Sequence, residues 1–126
     1  MKNLIKIATF LFAIHTIEEA VTLFWTRDVS VQWLSNILNL SHFVSYWLVQ
    51  IVLYLFLFAL IFLTFKKPAN FFYAILGFIL LGEFQHVWAT ISVGQYVSGL
   101  YTGILLCLFS IYFWAVFIKI YKSQNY

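Results

Sequence analysis

Apolar residues occupy four long stretches of this chain, and polar residues gather in the connections between them. The stretches run over about residues 4–25, 41–65, 71–93 and 100–121. Each predicts a helix long enough to cross a hydrocarbon core of about 30 Å at about 1.5 Å per residue. The pattern therefore predicts an all-α fold, an integral membrane four-helix bundle that forms a single domain over residues 1–126.

The connections support this division of the chain. Residues 66–70 form a basic loop in which Pro68 disfavours a helical conformation at the preceding residue, and glycines bound the loop at 94–99. The first connection is longer. Asp28 is a typical N-cap for a short helix over residues 29–38, whose apolar positions recur at helical spacing. We expect this helix to lie in the membrane interface, either as a plain connector or as a lid over a site.

Composition and charge agree with a membrane location. Hydrophobic residues make up 64% of the chain and charged residues only 9%, against about a quarter in soluble domains. Arg27 stands alone on one side of the predicted membrane, so the positive-inside rule places both chain termini in the cytoplasm. The basic residues on the other side are Lys2, Lys6, Lys66, Lys67, Lys119 and Lys122. Since no basic stripe would follow a phosphate backbone, membrane lipid is the expected partner rather than nucleic acid.

Ionisable residues interrupt the first and third apolar stretches. His15, Glu18 and Glu19 follow an i, i+3, i+4 spacing, and Glu83 and His86 follow an i, i+3 spacing, so each set shares one helix face. Counted from the cytoplasmic ends of their helices, both sets lie about 16–22 Å into the membrane. Ionisable groups at such depth are costly and indicate a functional site.

The charge of these carboxylates needs a compensating group, because the sequence places no lysine or arginine at their depth. Protonated carboxyl groups, protonated histidines or a bound divalent metal ion would each serve. Histidines and glutamates at this spacing on facing helices are typical of metal sites in helical bundles. We predict a zinc or iron site with His15, Glu18, Glu83 and His86 as ligands, and Glu19 as general base or additional ligand.

Three further polar residues are candidates for substrate contacts. Gln50 lies in the second stretch, about 14 Å from its outer end, and so reaches a similar layer of the membrane. Tyr96 and Thr102 flank the outer end of the bundle near the last loop. We predict that Tyr96 and Thr102 meet a substrate at the site, and that Gln50 contacts either the substrate or a residue of the site.

The chain contains three short motifs, in the order His15-x-x-Glu18-Glu19, Glu83-x-x-His86 and Tyr96-x-x-Gly99-x-x-Thr102. Their order and spacing resemble those of the HXXEE-domain family of small bacterial membrane proteins. The resemblance implies a location in the bacterial cytoplasmic membrane. Many members of the family have proline before the glycine of the third motif, where this chain has Ser98. The resemblance strengthens the site but implies no reaction.

The leading functional hypothesis is a membrane-embedded, metal-dependent enzyme, a hydrolase or other lipid-modifying enzyme, that acts on a lipid or other apolar molecule. A redox enzyme with two metal ions and a metal-free isomerase with a glutamate acid/base pair are open alternatives. A second hypothesis is a transporter that moves protons or a metal ion through the same cluster. Four spans are few for a monomeric carrier, so a transporter would need to be a homo-oligomer. A third hypothesis is a non-catalytic structural subunit.

Overall fold

The computed structural model describes residues 1–66 and 70–124, and within these ranges the chain forms α-helices and no strand. The helices are α1 Lys2–Val21, α2 Val29–Leu38, α3 His42–Lys66, α4 Asn70–Gly82, α5 Phe84–Val93 and α6 Leu100–Gln124. The prediction of an all-α fold is confirmed. The predicted count of four long helices is not, because the third apolar stretch divides at Glu83 into α4 and α5. The predicted basic loop lies mostly outside the described residues.

The short helix α2 has the bounds that the sequence predicts. At its start the Asp28 carboxylate accepts a hydrogen bond from the Val31 amide at 2.9 Å, as an N-cap does. At its end Asn39 adopts a left-handed conformation with φ of 52°, and its amide bonds to the Ser35 carbonyl. Because both caps come from residues next to the helix, its bounds are encoded locally.

The first helix ends earlier than predicted, at Val21 rather than near Trp25. Leu23 follows with φ of 55°, a left-handed conformation that costs a residue with a side chain about 1–2 kcal/mol. A short 3-10 turn then covers Phe24–Thr26. The reversal at Leu23 brings the ring of Phe24 back over the end of the bundle.

Three segments of the described chain are long and apolar enough to cross a membrane, judged by length and composition. They are His42–Leu63, Asn70–Val93 and Leu100–Ser123. The helix α1 carries Lys6, Glu18 and Glu19 within its 20 residues and is not one of the three.

The helix α6 packs on α1, α4 and α5, while α3 packs on α4 and carries α2 at its start. The apolar core fills the half of the bundle that contains the N-terminal part of α1. Its buried residues are Leu4, Ile5, Ala8, Phe12, Leu57, Tyr73, Leu76, Leu80, Leu106 and Phe113. The polar residues that the sequence singled out lie in the other half, nearer the loop at 94–99. The bundle is therefore apolar at one end and polar at the other.

Replacing Leu106 by alanine should destabilise the protein by about 2–5 kcal/mol, because this side chain is fully buried in the core and its removal leaves a cavity. Leu105→Ala is the matched control, since Leu105 lies on the same helix and is 50% exposed. Thermal unfolding of the two purified variants, followed by circular dichroism, makes the comparison. Equal effects of the two substitutions would contradict the packing described here.

Candidate metal centre

Two histidines and two glutamates meet where α1 passes the break between α4 and α5. His15 Nε2 lies 3.1 Å from Glu83 Oε2, and His86 Nε2 lies 3.3 Å from the same oxygen. On the opposite side, Glu19 Oε1 lies 3.5 Å from both imidazole Nε2 atoms. We call these four residues the His/Glu cluster. Each imidazole nitrogen thus lies close to one oxygen of each carboxylate, so the two histidines and the two glutamates converge on one point.

The local structure explains how each pair of residues reaches this point. On α1 the i, i+4 spacing puts His15 and Glu19 one above the other on the same face. On the other side Glu83 occupies the break before α5, and its carbonyl accepts a hydrogen bond from the His86 amide at 3.2 Å. At Gly103 of α6 a Cβ atom would lie 3.2 Å from that carbonyl oxygen. Glycine at this position therefore lets α6 approach the break closely.

The His/Glu cluster is buried, with each of its four residues 9% exposed or less. No lysine or arginine is found among the buried residues of the described chain. Glu19 and Glu83 thus bring two carboxylates into the interior without a basic side chain to pair with them. In addition, the buried His86 Nε2 makes no hydrogen bond to any residue that the structure describes. Buried charge of this kind requires protons or a cation for compensation.

Glu18 does not join the cluster, although the sequence predicted it as a metal ligand. Its Oε1 accepts hydrogen bonds from the Tyr96 hydroxyl at 2.7 Å and the Tyr101 amide at 3.2 Å. Its Oε2 accepts from the amide of Thr102 at 2.8 Å and from its hydroxyl at 2.5 Å. The carboxylate therefore caps the start of α6, where backbone amides lack helical partners and the helix dipole favours negative charge.

Tyr96, one of the hydrogen-bond donors to Glu18, lies in the loop between α5 and α6. Burial, together with the hydrogen bond to the Glu18 carboxylate, raises the pKa of Tyr96 to about 12. The Tyr96 hydroxyl thus stays protonated at neutral pH and donates a hydrogen bond to Glu18 Oε1.

Thr102 links Glu18 to the cluster and determines which nitrogen of His15 carries a proton. The Thr102 hydroxyl lies 2.5 Å from Glu18 Oε2 and 2.7 Å from His15 Nδ1. Glu18 already accepts hydrogen bonds from two backbone amides, as an ionised carboxylate does, so the single hydroxyl hydrogen goes to Glu18. The hydroxyl oxygen must then accept a hydrogen bond from His15 Nδ1–H. In a neutral His15 this leaves Nε2 unprotonated, and Nε2 is the atom that faces the cluster.

Gly99 brings the third motif into contact with both imidazoles. Its φ of 84° is a conformation that favours glycine. A Cβ atom there would lie 2.8 Å from His15 Cε1 and 2.9 Å from His86 Cε1. Tyr96, Gly99 and Thr102 were quoted in the sequence as one motif, and in the structure each of them contacts the cluster or Glu18.

Two residues of α3 orient Glu19 from the side opposite the histidines. The Gln50 amide donates to Glu19 Oε2 at 3.0 Å, and the Tyr46 hydroxyl donates to the same oxygen at 3.2 Å. The other carboxylate oxygen, Oε1, is left to face the two imidazoles. Gln50 was predicted from its depth, whereas Tyr46 was missed. Its position four residues before Gln50, on the same helix face, was the signal available in the sequence.

A cavity of about 360 Å³ reaches the cluster from the polar half of the bundle. Its lining includes His15, Glu19, Glu83, Tyr46 and Gln50 together with apolar side chains of α1, α2 and α3. Its volume lies within the range of about 300–1,000 Å³ that is typical of small-molecule sites.

A second cavity of about 400 Å³ lies beside the first and is lined by Arg27 and Tyr96. Phe24 lines both cavities, and its ring centroid lies 5.5 Å from that of His86. Of the three predicted substrate contacts, Gln50 lines the first cavity and Tyr96 the second. Thr102 lines neither and is bonded to His15 and Glu18.

The geometry fits a metal ion. The ligand atoms of His15, Glu83 and His86 all lie within 4.8 Å of one another. Two ligands bound to one zinc ion at about 2.0–2.2 Å and a tetrahedral angle are separated by about 3.3–3.6 Å. The nitrogen–oxygen separations of 3.1–3.5 Å in the cluster are close to that value. Two histidines and one glutamate are also the ligands of several catalytic zinc sites, which keep a further position open.

A comparison with protein families identifies the family of this chain. Residues 6–114 match the HXXEE family, described as "Protein of unknown function with HXXEE motif". Since the match covers most of the chain, the protein belongs to this family, as the three motifs predicted. No curated protein and no solved structure matches the chain.

Substituting Gly99 by alanine should displace the two imidazoles as well as strain the backbone. Gly94→Ala is the matched control, since Gly94 also has a positive φ, of 69°, but nothing lies within 4 Å of its added Cβ. We expect Gly94→Ala to cost about 1–2 kcal/mol in unfolding free energy and Gly99→Ala to cost more. In ¹⁵N-histidine NMR spectra only Gly99→Ala should shift the signals of His15 and His86. Identical effects of the two substitutions would show that the imidazoles do not pack on Gly99.

Thr102→Val should remove the acceptor that holds the proton on His15 Nδ1. ¹⁵N NMR of the imidazole at neutral pH should report Nδ1–H in the unmodified protein and loss of that preference in the variant. Thr9→Val is the control, because the Thr9 hydroxyl bonds only to the Ile5 carbonyl of its own helix. An unchanged tautomer of His15 in Thr102→Val would contradict the hydrogen-bond direction assigned here.

Proposed function

We propose that this protein is a membrane-embedded, metal-dependent enzyme that acts on a lipid or other apolar molecule at the His/Glu cluster. The observation that carries the proposal is the convergence of two imidazole Nε2 atoms on two buried carboxylates, in a part of the described chain without a buried basic side chain. Two carboxylates and two neutral imidazoles carry a formal charge that one divalent cation balances.

Membrane insertion is supported by the outer surface of the bundle. Besides the three long apolar segments, large apolar side chains such as Phe58, Phe78, Leu108 and Ile111 are about two-thirds exposed. A soluble protein rarely exposes so continuous an apolar surface. We place the protein in the bacterial cytoplasmic membrane with both termini in the cytoplasm, since six of its seven basic residues belong to that side.

His15, Glu83 and His86 would hold the metal, with zinc or iron as the candidates. A divalent ion at such a site supplies Lewis acidity toward an oxygen atom of the substrate. Glu19 would act as the general base, because its Oε1 faces the two imidazoles while Tyr46 and Gln50 hold its Oε2. It would serve as a fourth ligand when no substrate is present. Proton transfer beside a Lewis acid suits hydrolysis and other acid–base reactions of lipids.

The structure around the cluster favours an enzyme over a carrier. The cavity approaches the cluster from the polar half of the bundle. The apolar half is filled by Phe12, Leu80 and the rest of the apolar core. A transporter requires access from both sides of its site, and the described residues provide it from one.

A transporter of protons or metal ions is the second candidate function, and the break at Glu83 is the observation that favours it. Discontinuous membrane helices are often found at the ion sites of transporters, where their ends face the cargo. Such a carrier would have to open the apolar core and, with so few spans, would act as a homo-oligomer.

Metal analysis of the purified protein tests the proposal. We expect about one equivalent of zinc or iron in the unmodified protein and its loss in His86→Ala, because His86 supplies a ligand nitrogen. His42→Ala is the matched control, since His42 is exposed at the start of α3. Glu18→Gln should keep the metal, because Glu18 faces α6 rather than the cluster.

Three results would count against the proposal in different ways. Metal-free protein with a native circular dichroism spectrum would exclude the metal centre. Loss of the metal in Glu18→Gln but not in Glu83→Gln would contradict the ligand assignment. Flux of protons or metal ions into liposomes that depends on Glu83 would favour the transporter over the enzyme.

A further inference from the structure

We infer that the substrate of this site is an uncharged, single-chain amphiphile whose polar end carries a hydroxyl or amide N–H group and which reaches the cluster sideways from the membrane. The inference rests on the proposed function and narrows it to one class of substrate. Four properties of the cavity beside the His/Glu cluster support it.

The first property is the division of the cavity into a polar end and apolar walls. At the polar end lie three residues of the cluster, which are His15, Glu19 and Glu83, with Gln50, Tyr46 and Thr16 beside them. The walls are apolar and come from several helices: Phe12, Phe24, Val31, Leu34, Val49 and Leu53. A molecule with one polar end and one hydrocarbon chain matches this division, because each part is desolvated against groups of its own kind.

The second property is the charge of the lining, which opposes an anionic head group. The only charged side chains among the described residues of the lining are the carboxylates of Glu19, Asp28 and Glu83. Even with a divalent ion to balance Glu19 and Glu83, a phosphate or carboxylate head would be buried in a lining that keeps the Asp28 carboxylate and, among the described residues, has no lysine or arginine, which is unfavourable. Arg27 lines the neighbouring cavity instead. Once a divalent ion balances Glu19 and Glu83, the polar end has no net negative charge to attract a cationic head.

The third property is an unused hydrogen-bond acceptor. Because the Glu19 carboxylate only accepts hydrogen bonds, the nitrogen of the Gln50 amide must face it, and the amide oxygen Oε1 points elsewhere. That oxygen is buried and has no hydrogen-bond partner among residues 1–66 and 70–124. A buried acceptor without a partner is costly, and a donor on the ligand would satisfy it. A hydroxyl or an amide N–H group supplies such a donor.

The fourth property is the position of the cavity mouth. The exposed side chains of the lining are Trp33 of α2, Val49 of α3 and Gln85 of α5, so the cavity opens among these three helices. Val49 lies on the outward face of a long apolar helix. In a bilayer this mouth faces lipid, with Trp33 near the interface. A hydrocarbon chain therefore enters without crossing water.

Photolabelling of the full chain in lipid nanodiscs tests the inference. The probes are a long-chain primary alcohol with a diazirine in its chain, the matching methyl ether, and the matching phosphate monoester. We expect the alcohol to label residues at the cavity, such as Trp33 and Leu34, about tenfold more than the phosphate ester does. The ether should label less than the alcohol, because it offers no donor to Gln50.

Two substitutions and one control locate the binding. Val49→Trp should block the mouth and reduce labelling by the alcohol several-fold. Val52→Trp should not, since Val52 is also exposed on α3 but does not line this cavity. Gln50→Met should abolish the preference for the alcohol over the ether. Circular dichroism of each variant confirms that it is folded.

The outcomes separate this inference from the proposed function, because labelling is measured in both metal-loaded and chelator-treated protein. Selective labelling by the alcohol in a protein that binds no metal would support the amphiphile site and remove the metal chemistry. A stoichiometric metal with equal labelling by alcohol and phosphate ester would overturn the inference and leave the metal centre standing. Labelling that Val49→Trp and Val52→Trp reduce equally would overturn it as well.

Discussion

The rest of this structure depends on one constraint, which is that the negative charge of its buried carboxylates must be compensated. A carboxylate buried without a partner is costly. This protein buries Glu19 on α1 and Glu83 at the break before α5, and it half-buries Glu18 beside Glu19. Glu18 is compensated by hydrogen bonds and by the start of α6. Within the described chain, the side chains that make polar contacts with the Glu19 and Glu83 carboxylates are two imidazoles, a tyrosine and a glutamine. The difference between these two environments distinguishes a structural carboxylate from a candidate reactive one.

The family motif consequently contains two kinds of glutamate. Adjacent residues on an α-helix point about 100° apart, so Glu18 and Glu19 cannot both face one point. Glu19 shares its face with His15 and reaches the cluster, while Glu18 faces α6 and holds Thr102. Through Thr102 it still acts on His15, because the hydroxyl that donates to Glu18 accepts from His15 Nδ1. The third motif completes the arrangement from the other side of the imidazoles.

The bundle has an apolar half and a polar half, and this separation limits the routes by which a molecule reaches the site. Packed side chains fill the apolar half, and the cavity, α2 and the turn at Leu23 belong to the polar half. Access from one side suits a reaction on a molecule that enters and leaves by the same route. The apolar half also supplies stability that a polar site cannot, since buried polar groups contribute little once they are desolvated.

Caps and helical periodicity are local properties, so the helical class, the bounds of α2 and the two pairs of a histidine with a glutamate could be predicted from the amino-acid sequence. Three features could not: the glutamate of α1 that faces the imidazoles, the contact of Tyr46 with Glu19, and the break of the third apolar stretch at Glu83. Periodicity indicates which residues share a face, whereas the rotation and depth of one helix against another follow from packing over the whole bundle. The site lies where those packed faces meet.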